Sequence, residues 1–475
     1  MKISTQAGAS RPAGKVLPPV TVARVTRTEN TTDVASNAAV DEVAELCQGL
    51  LRYDTSNYGD GSGPGERAAA EHVMGLLHEV GLSPELVESE PGRASVVVRV
   101  EGDPAGTADR GALLVHGHLD VVPADAGDWR VDPFAGEEAD GCLWGRGAVD
   151  MKDMDAMMLA VLRDLARSGR RPPRDLVFAL FADEEAGGVK GSHWVVDHRR
   201  DLLDGVTEAI SEVGGYSVTV DGRDGDPVRM YLLQTAEKGI AWLRLVAHGT
   251  AGHGSQINTD NAVTRVAQAV ARIGAHEWPI DITPTVRQFL DGVTEVTGVE
   301  FDPSDPDQIL SRLGTVARFV GATLRDTTNP TLLKAGYKHN VIPQVAEAFV
   351  DCRFLPGHED LVMDTVRGLA GPGVDVQVHH RDISLETTFD GRLVDAMVGA
   401  LQAEDPGAPV LPYCLSGGTD NKALSRLGVR GFGFAPLQLP TDLDFAAMFH
   451  GVDERVPVEA LRFGTRVLDR FLRTC

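Results

Sequence analysis

Basic residues are in short supply in this chain: 45 Lys and Arg stand against 69 Asp and Glu, for a formal net charge of −24. Nucleic acid and anionic membranes would both be repelled by such a surface, which excludes them as partners. Cysteine is also scarce. The five present (Cys47, Cys142, Cys352, Cys414 and Cys475) are odd in number and dozens of residues apart. They form neither a disulfide framework nor a CxxC metal site, and a reducing cytoplasm suits them. No uninterrupted apolar run approaches the roughly 18–20 residues of a membrane span. Aromatic residues make up only 5%, yet 43% of the chain is hydrophobic, enough for a sizeable core. A length of 475 residues predicts more than one domain.

Acids are missing from the N-terminus as well, where none precedes Glu29. The Ala-, Thr-, Pro- and Ser-rich composition of residues 1–38 predicts a disordered extension. A targeting segment shares that basic character, but no apolar h-region accompanies it, which argues against secretion.

Helical spacing begins at "AVDEVAELCQGLLRY" and returns in "GERAAAEHVMGLLHEVG", closed by Gly81. The runs "ASVVVRV", "GALLVHGHLD" and "DLVFALFA" read as strands, with the helix "MKDMDAMMLAVLRDLARSG" between the last two. Strands alternating with helices predict an α/β sheet with helices on its faces. The texture changes after residue 236. "AWLRLVAHG", "EAFVDCRFLPG" and "VDVQVHH" alternate as half-buried strands, while "DNAVTRVAQAVARIG" and "EDLVMDTVRGLAG" are helical. That succession predicts a small α+β unit of ferredoxin-like type, with 276–312 as a local insertion. The expected organisation is a catalytic domain over 39–236 and 386–475, interrupted by a second domain over 237–385.

"FADEEAGG" poses the chemical question, because a buried strand runs straight into Asp183, Glu184 and Glu185. Like charges in a row need a counter-charge. "HGHLD" places His116, His118 and Asp120 two apart, on one side of an extended chain, and a carboxylate beside an imidazole leaves the other nitrogen free for a metal. "GRGAVDMKD" puts Asp150 in a Gly-rich turn before a helix. Taken singly, an HxD pair can be structural, Asp150 can be an N-cap and the acidic run can be a solvated loop. Their recurrence at successive strand ends, where open α/β sheets bind ligands, favours a shared site.

With "HGHLDVVP", "LWGRGAVDMKD", "FADEEAGG", "ISEVGG", "GHGSQIN", "HNVIP", "SGGTDNKAL" and "MFHGVDERV" in this order, the chain resembles the M20 family of dinuclear-zinc peptidases and amidohydrolases. That family includes aminoacylases, desuccinylases and glutamate carboxypeptidases. The resemblance implies a mixed-sheet catalytic domain with helices on both faces and an inserted ferredoxin-like lid and dimerisation domain. It implies two Zn2+ ions, replaceable by Co2+ or Mn2+. His118 and Glu212 would hold one ion, Glu185 and His450 the other, and Asp150, ahead of a cis peptide to Met151, would bridge them. Asp120 would orient His118, and Glu184 would be the general base for a hydroxide shared by both ions. His253 would reach across a homodimer to the oxyanion, while Asn340 and Arg353 would hold the substrate's carboxylate. His116 and Asp183 receive no role.

The implied activity is hydrolysis of an amide next to a free carboxylate, as in deacylation of N-acyl amino acids or carboxypeptidase-like cleavage of small substrates. Glutamate at position 212, where aminopeptidases of the family tend to have aspartate, sets this above a dipeptidase or aminopeptidase reading. A non-catalytic binding protein on the same scaffold would lack a ligand or the base, and none is missing.

Overall fold

The computed structural model describes residues 37–311, 313 and 317–475. The expectation for residues 1–38 therefore lies outside the described residues, save for the last two, which open the helix Asn37–Leu51. Ten strands form a mixed sheet whose centre is parallel, in the order Leu176–Phe181, Ala112–His118, Val206–Ser211 and Arg430–Gly433. Arg93–Val100 joins Leu176–Phe181 antiparallel at one side, and Pro227–Glu237 joins Arg430–Gly433 antiparallel at the other.

Leu176–Phe181 shows why the strand after the helix reads as an unbroken apolar run. Leu176, Phe178 and Leu180 enter one core, while Val177, Ala179 and Phe181 enter another. Successive side chains point to opposite faces, and both faces are covered. On the first face Lys152–Ser168 packs with Asn37–Leu51 and Val458–Leu472. The second face receives Ser192–His198 and Asn421–Ser425.

At Lys238 the chain leaves this sheet. Pro227–Glu237 ends there and Gly239–His248 begins in a separate antiparallel sheet, ordered Thr327–Ala335, Val345–Phe354, Gly239–His248, Val374–Asp382. Alternation sets its two faces apart. Ala241, Leu243, Leu245, Val350 and Cys352 pack with the helices Ala262–Gly274 and Glu359–Ala370. Trp242, Asp351 and Arg353 take the opposite face.

One stretch departs from the expected inserted unit over 237–385. The helix Pro284–Thr297 sends Val286, Phe289, Leu290 and Val293 into the core of the ten-stranded sheet, not into that of the smaller one. Its Gly292 lies so close to the strand Val410–Leu415 that a Cβ there would meet Leu411 Cδ2 at 2.4 Å. An amphipathic helix goes to whichever apolar surface lies in reach, and here the larger sheet supplies it.

Candidate metal centre

The carboxyl ends of the parallel strands converge on one cleft. His118 ends Ala112–His118, Glu184 and Glu185 follow Leu176–Phe181, and Glu212 follows Val206–Ser211. Asp150 arrives from the turn before Lys152–Ser168, and His450 from the segment after the short helix Phe445–Ala447, in a left-handed conformation with φ 58°. The helix Lys152–Ser168 can approach because residue 117 is glycine: a Cβ there would lie 2.3 Å from Asp155 Oδ1.

Asp150 sits at the middle of the cluster. Its Oδ1 is 3.3 Å from His118 Nε2, and its Oδ2 is 3.3 Å from His450 Nε2. Glu212 Oε2 lies 3.5 Å from His118 Nε2, and Glu185 Oε2 lies 3.1 Å from His450 Nε2. Glu184 Oε2 stands 3.9 Å from His118 Nε2. Two triplets, His118–Asp150–Glu185 and His118–Glu184–Glu212, each bring their donor atoms within 4.8 Å of one another. The Asp150–Met151 peptide is cis.

Charge is out of balance here. Among the described residues no Lys or Arg forms an ion pair with Asp150, Glu184, Glu185 or Glu212. Burial, followed by the Glu212 carboxylate, pushes Glu184 well above the ordinary range, and burial raises Glu212 to about 8. Burial would raise Asp150 too, but His118 and His450 together hold it low. His450 is raised to about 10 by Asp150 and Glu185. Two buried atoms, His118 Nε2 and Glu185 Oε1, have no hydrogen-bond partner of acceptable geometry. Orphaned donor atoms, imidazole and carboxylate ligands and missing positive charge together fit divalent cations of the zinc type.

A second layer holds the cluster in place. Asp120 lies just past the strand end, and its nearest atom to His118 Nδ1 is its own carbonyl oxygen, at 2.9 Å, with the carboxylate at 3.6 Å. That carboxylate accepts instead from the N–H groups of Glu184 (3.0 Å) and Glu185 (3.1 Å) and from Asn57 Nδ2 (2.9 Å). Asp183, at φ 68°, accepts from Asn57 Nδ2 and from the Lys190 N–H. His116 Nε2 meets Asn421 Oδ1 at 3.1 Å, and burial lowers His116 to about 4. Sequence reasoning gave no role to Glu454, which accepts from Arg146 Nη1, Gly147 N and Val149 N and so shapes the turn before Asp150. Asn57 and Glu454 carry no local signature, since their partners lie far along the chain.

The cleft has a volume of about 390 Å3, and Arg353 lines it together with the metal-type cluster. His253 and Asn340 do not line it. They are exposed and adjacent, with Gly252–His253 paired to Val341–Ile342 and Gly254 N donating to Asn340 O at 2.8 Å.

Comparison with known proteins places this geometry among relatives. Residues 114–474 match the model of peptidase family M20/M25/M40. The N-fatty-acyl-amino acid synthase/hydrolase PM20D1 of Xenopus tropicalis is 28% identical, over 93% of this chain and 88% of its own length. Human aminoacylase-1 is 25% identical, over 86% of this chain and 90% of its own. The M20 family metallo-carboxypeptidase Sso-CP2 of Sulfolobus solfataricus shares the mixed α/β fold with a TM-score of 0.69 at 18% identity, over 91% of this chain and 99% of its own.

Proposed function

The chain belongs to peptidase family M20/M25/M40 and is a metal-dependent hydrolase of amide bonds, and from that premise we propose that it cleaves an amide adjoining a free carboxylate, as in N-acyl amino acids. One observation carries the reading: Asp150 turns one oxygen to His118 and the other to His450. We assign His118, Asp150 and Glu212 to one ion and Asp150, Glu185 and His450 to the other, with zinc the metal the ligand set favours. When bound, such ions supply Lewis acidity at the scissile carbonyl and lower the pKa of water.

The chain's own groups do the rest. Glu184 lines the cleft beside the ligands and is not itself one, so its carboxylate is placed to take a proton from the attacking water and return it to the leaving amine. Arg353 offers a guanidinium to the substrate's carboxylate. The smaller sheet acts as a lid and dimerisation domain. Its edge strand Thr327–Ala335 leaves Leu332 and Leu333 exposed, a surface suited to a second copy. His253 and Asn340, which do not line their own cleft, would then serve the partner's.

The test uses metal-loaded enzyme with N-acetyl amino acids and their amides. Arg353→Ala should lower kcat/KM by at least ~10²-fold on the free acids, as expected for loss of a charged contact, and change hydrolysis of the amides little. Equal losses on both would remove the carboxylate from the reading and favour a dipeptidase or aminopeptidase.

A further inference from the structure

Cross-strand register places two rows of side chains on the cleft-facing side of the smaller sheet. In the first row Arg353 pairs with Ile240, which pairs with Asp382. The next row pairs Asp351 with Trp242, and Trp242 with His380. Residues directly opposite on neighbouring strands touch, so each row works as a unit. Asp351 ties the two rows together. It accepts from Arg353 Nε at 2.7 Å and Nη2 at 3.1 Å, and its Oδ2 also accepts from Trp242 Nε1 at 3.2 Å.

A guanidinium edge and an indole edge thus share one carboxylate. Trp242 is fixed from its other side by His380, with ring centroids 4.8 Å apart. His380 in turn lies against Gly187, where a Cβ would meet its Cε1 at 2.9 Å. Gly187 belongs to the loop that carries Glu184 and Glu185. Trp242, Ile240 and Arg353 all line the cleft that holds the ligand cluster.

We infer that this face reads the amino-acid half of the substrate: Arg353 takes the carboxylate, Trp242 and Ile240 pack the side chain on the adjacent carbon, and Asp351 is the positioning residue for both. The inference rests on the proposed hydrolysis next to a free carboxylate. In such a substrate the side chain is one carbon removed from the carboxylate, which sets it over the indole beside Arg353. The acyl group lies across the scissile bond, beyond the metal cluster, and does not reach Trp242. The substrate class is therefore N-acyl or C-terminal amino acids with aromatic or large aliphatic side chains.

The test measures kcat/KM of the full-length, metal-loaded enzyme on N-acetyl-glycine, -leucine and -phenylalanine and on N-decanoyl-phenylalanine. The parent should favour phenylalanine over glycine by at least about tenfold, the scale on which apolar pockets discriminate. Trp242→Ala should bring that ratio close to one. Trp242→Leu, which keeps an apolar surface, should retain the leucine preference and lose the phenylalanine advantage. Asp351→Asn should raise KM on every free acid roughly tenfold with kcat within about twofold, a split that general misfolding would not produce. An unchanged phenylalanine-to-glycine ratio in Trp242→Ala overturns the inference. So does a Trp242→Ala effect that follows acyl length instead of side chain, or an Asp351→Asn effect on kcat alone. If the parent hydrolyses all the acetyl substrates equally, this inference falls alone; if it hydrolyses no free acid, the proposed function falls with it.

Discussion

Replacing Asp120 with asparagine tests how the acidic run after Leu176–Phe181 is held. Asp120 is fully buried, and three donors converge on it: Glu184 N on Oδ1, and Glu185 N and Asn57 Nδ2 on Oδ2. Burial raises its pKa, while the three converging donors favour the ionised form, which accepts from all of them. Asparagine keeps the volume and gives up one acceptor. With its oxygen at the Oδ2 position, the Glu184 N–H is orphaned; turned over, the Glu185 N–H is orphaned and Asn57 Nδ2 keeps only Asp183.

An unsatisfied buried donor costs about 1–3 kcal/mol. At tenfold per 1.4 kcal/mol, displacement of Glu184 and Glu185 would carry a penalty of roughly 5- to 150-fold. The expected outcome for Asp120→Asn is a loss of about 10- to 100-fold in metal affinity, in kcat or divided between them, the range found for outer-shell partners of metal ligands. Chelator competition reads the first and steady-state kinetics the second. A folded variant within about twofold of the parent in both would refute the idea that Asp120 positions these acids through their backbone.

Glu184→Gln keeps shape but cannot accept water's proton; zinc should stay bound while turnover falls at least ~10²-fold, and near-normal turnover at full occupancy would move the base elsewhere. Mixing His253→Ala protomers with Glu184→Gln protomers should restore some activity if His253 serves the neighbouring cleft, and no recovery after confirmed subunit exchange would return it to its own chain or remove it from catalysis. Glu237 is pushed by burial from 4.5 to about 7. Its unfolded form loses the proton near pH 4.5 while the folded form keeps it to about 7, so the folded state loses stability as pH rises through that window, by roughly 3 kcal/mol. Glu237→Gln should flatten that part of the pH–stability profile, and an unchanged slope in urea unfolding would show that Glu237 is not the group responsible.

The convergence of His118, Glu184 and Glu212 was legible because each is local to a strand end. His118, Glu184 and Glu212 each fall at or just after the last residues of an apolar run, and the three runs are neighbours in the sheet. Counting from the end of a buried strand therefore finds these three residues, while their separate roles come only from the resemblance. No such count finds the helix Pro284–Thr297. Its apolar positions announce a buried face without saying which of two sheets will cover it, and that choice rests on packing against Leu411, more than a hundred residues downstream. Glu454 reaches Val149 N across 305 residues of chain, and no local pattern in "MFHGVDERV" foretells it.

The Asp351–Arg353–Trp242 arrangement divides along the same line. Asp351 and Arg353 are two apart on a strand, so a period of two already puts them on one face and within reach of each other. That half could have been read from "DCRFLPG". Trp242 lies 109 residues before Asp351 and meets it only through the register of two ten-residue strands. Slipping that register by one residue would turn Trp242 away from Asp351, and would bury Trp242 and Arg244 against Ala262–Gly274 in place of Leu243 and Leu245. The apolar side of the smaller sheet thus fixes the register, and the register sets Trp242 beside Arg353.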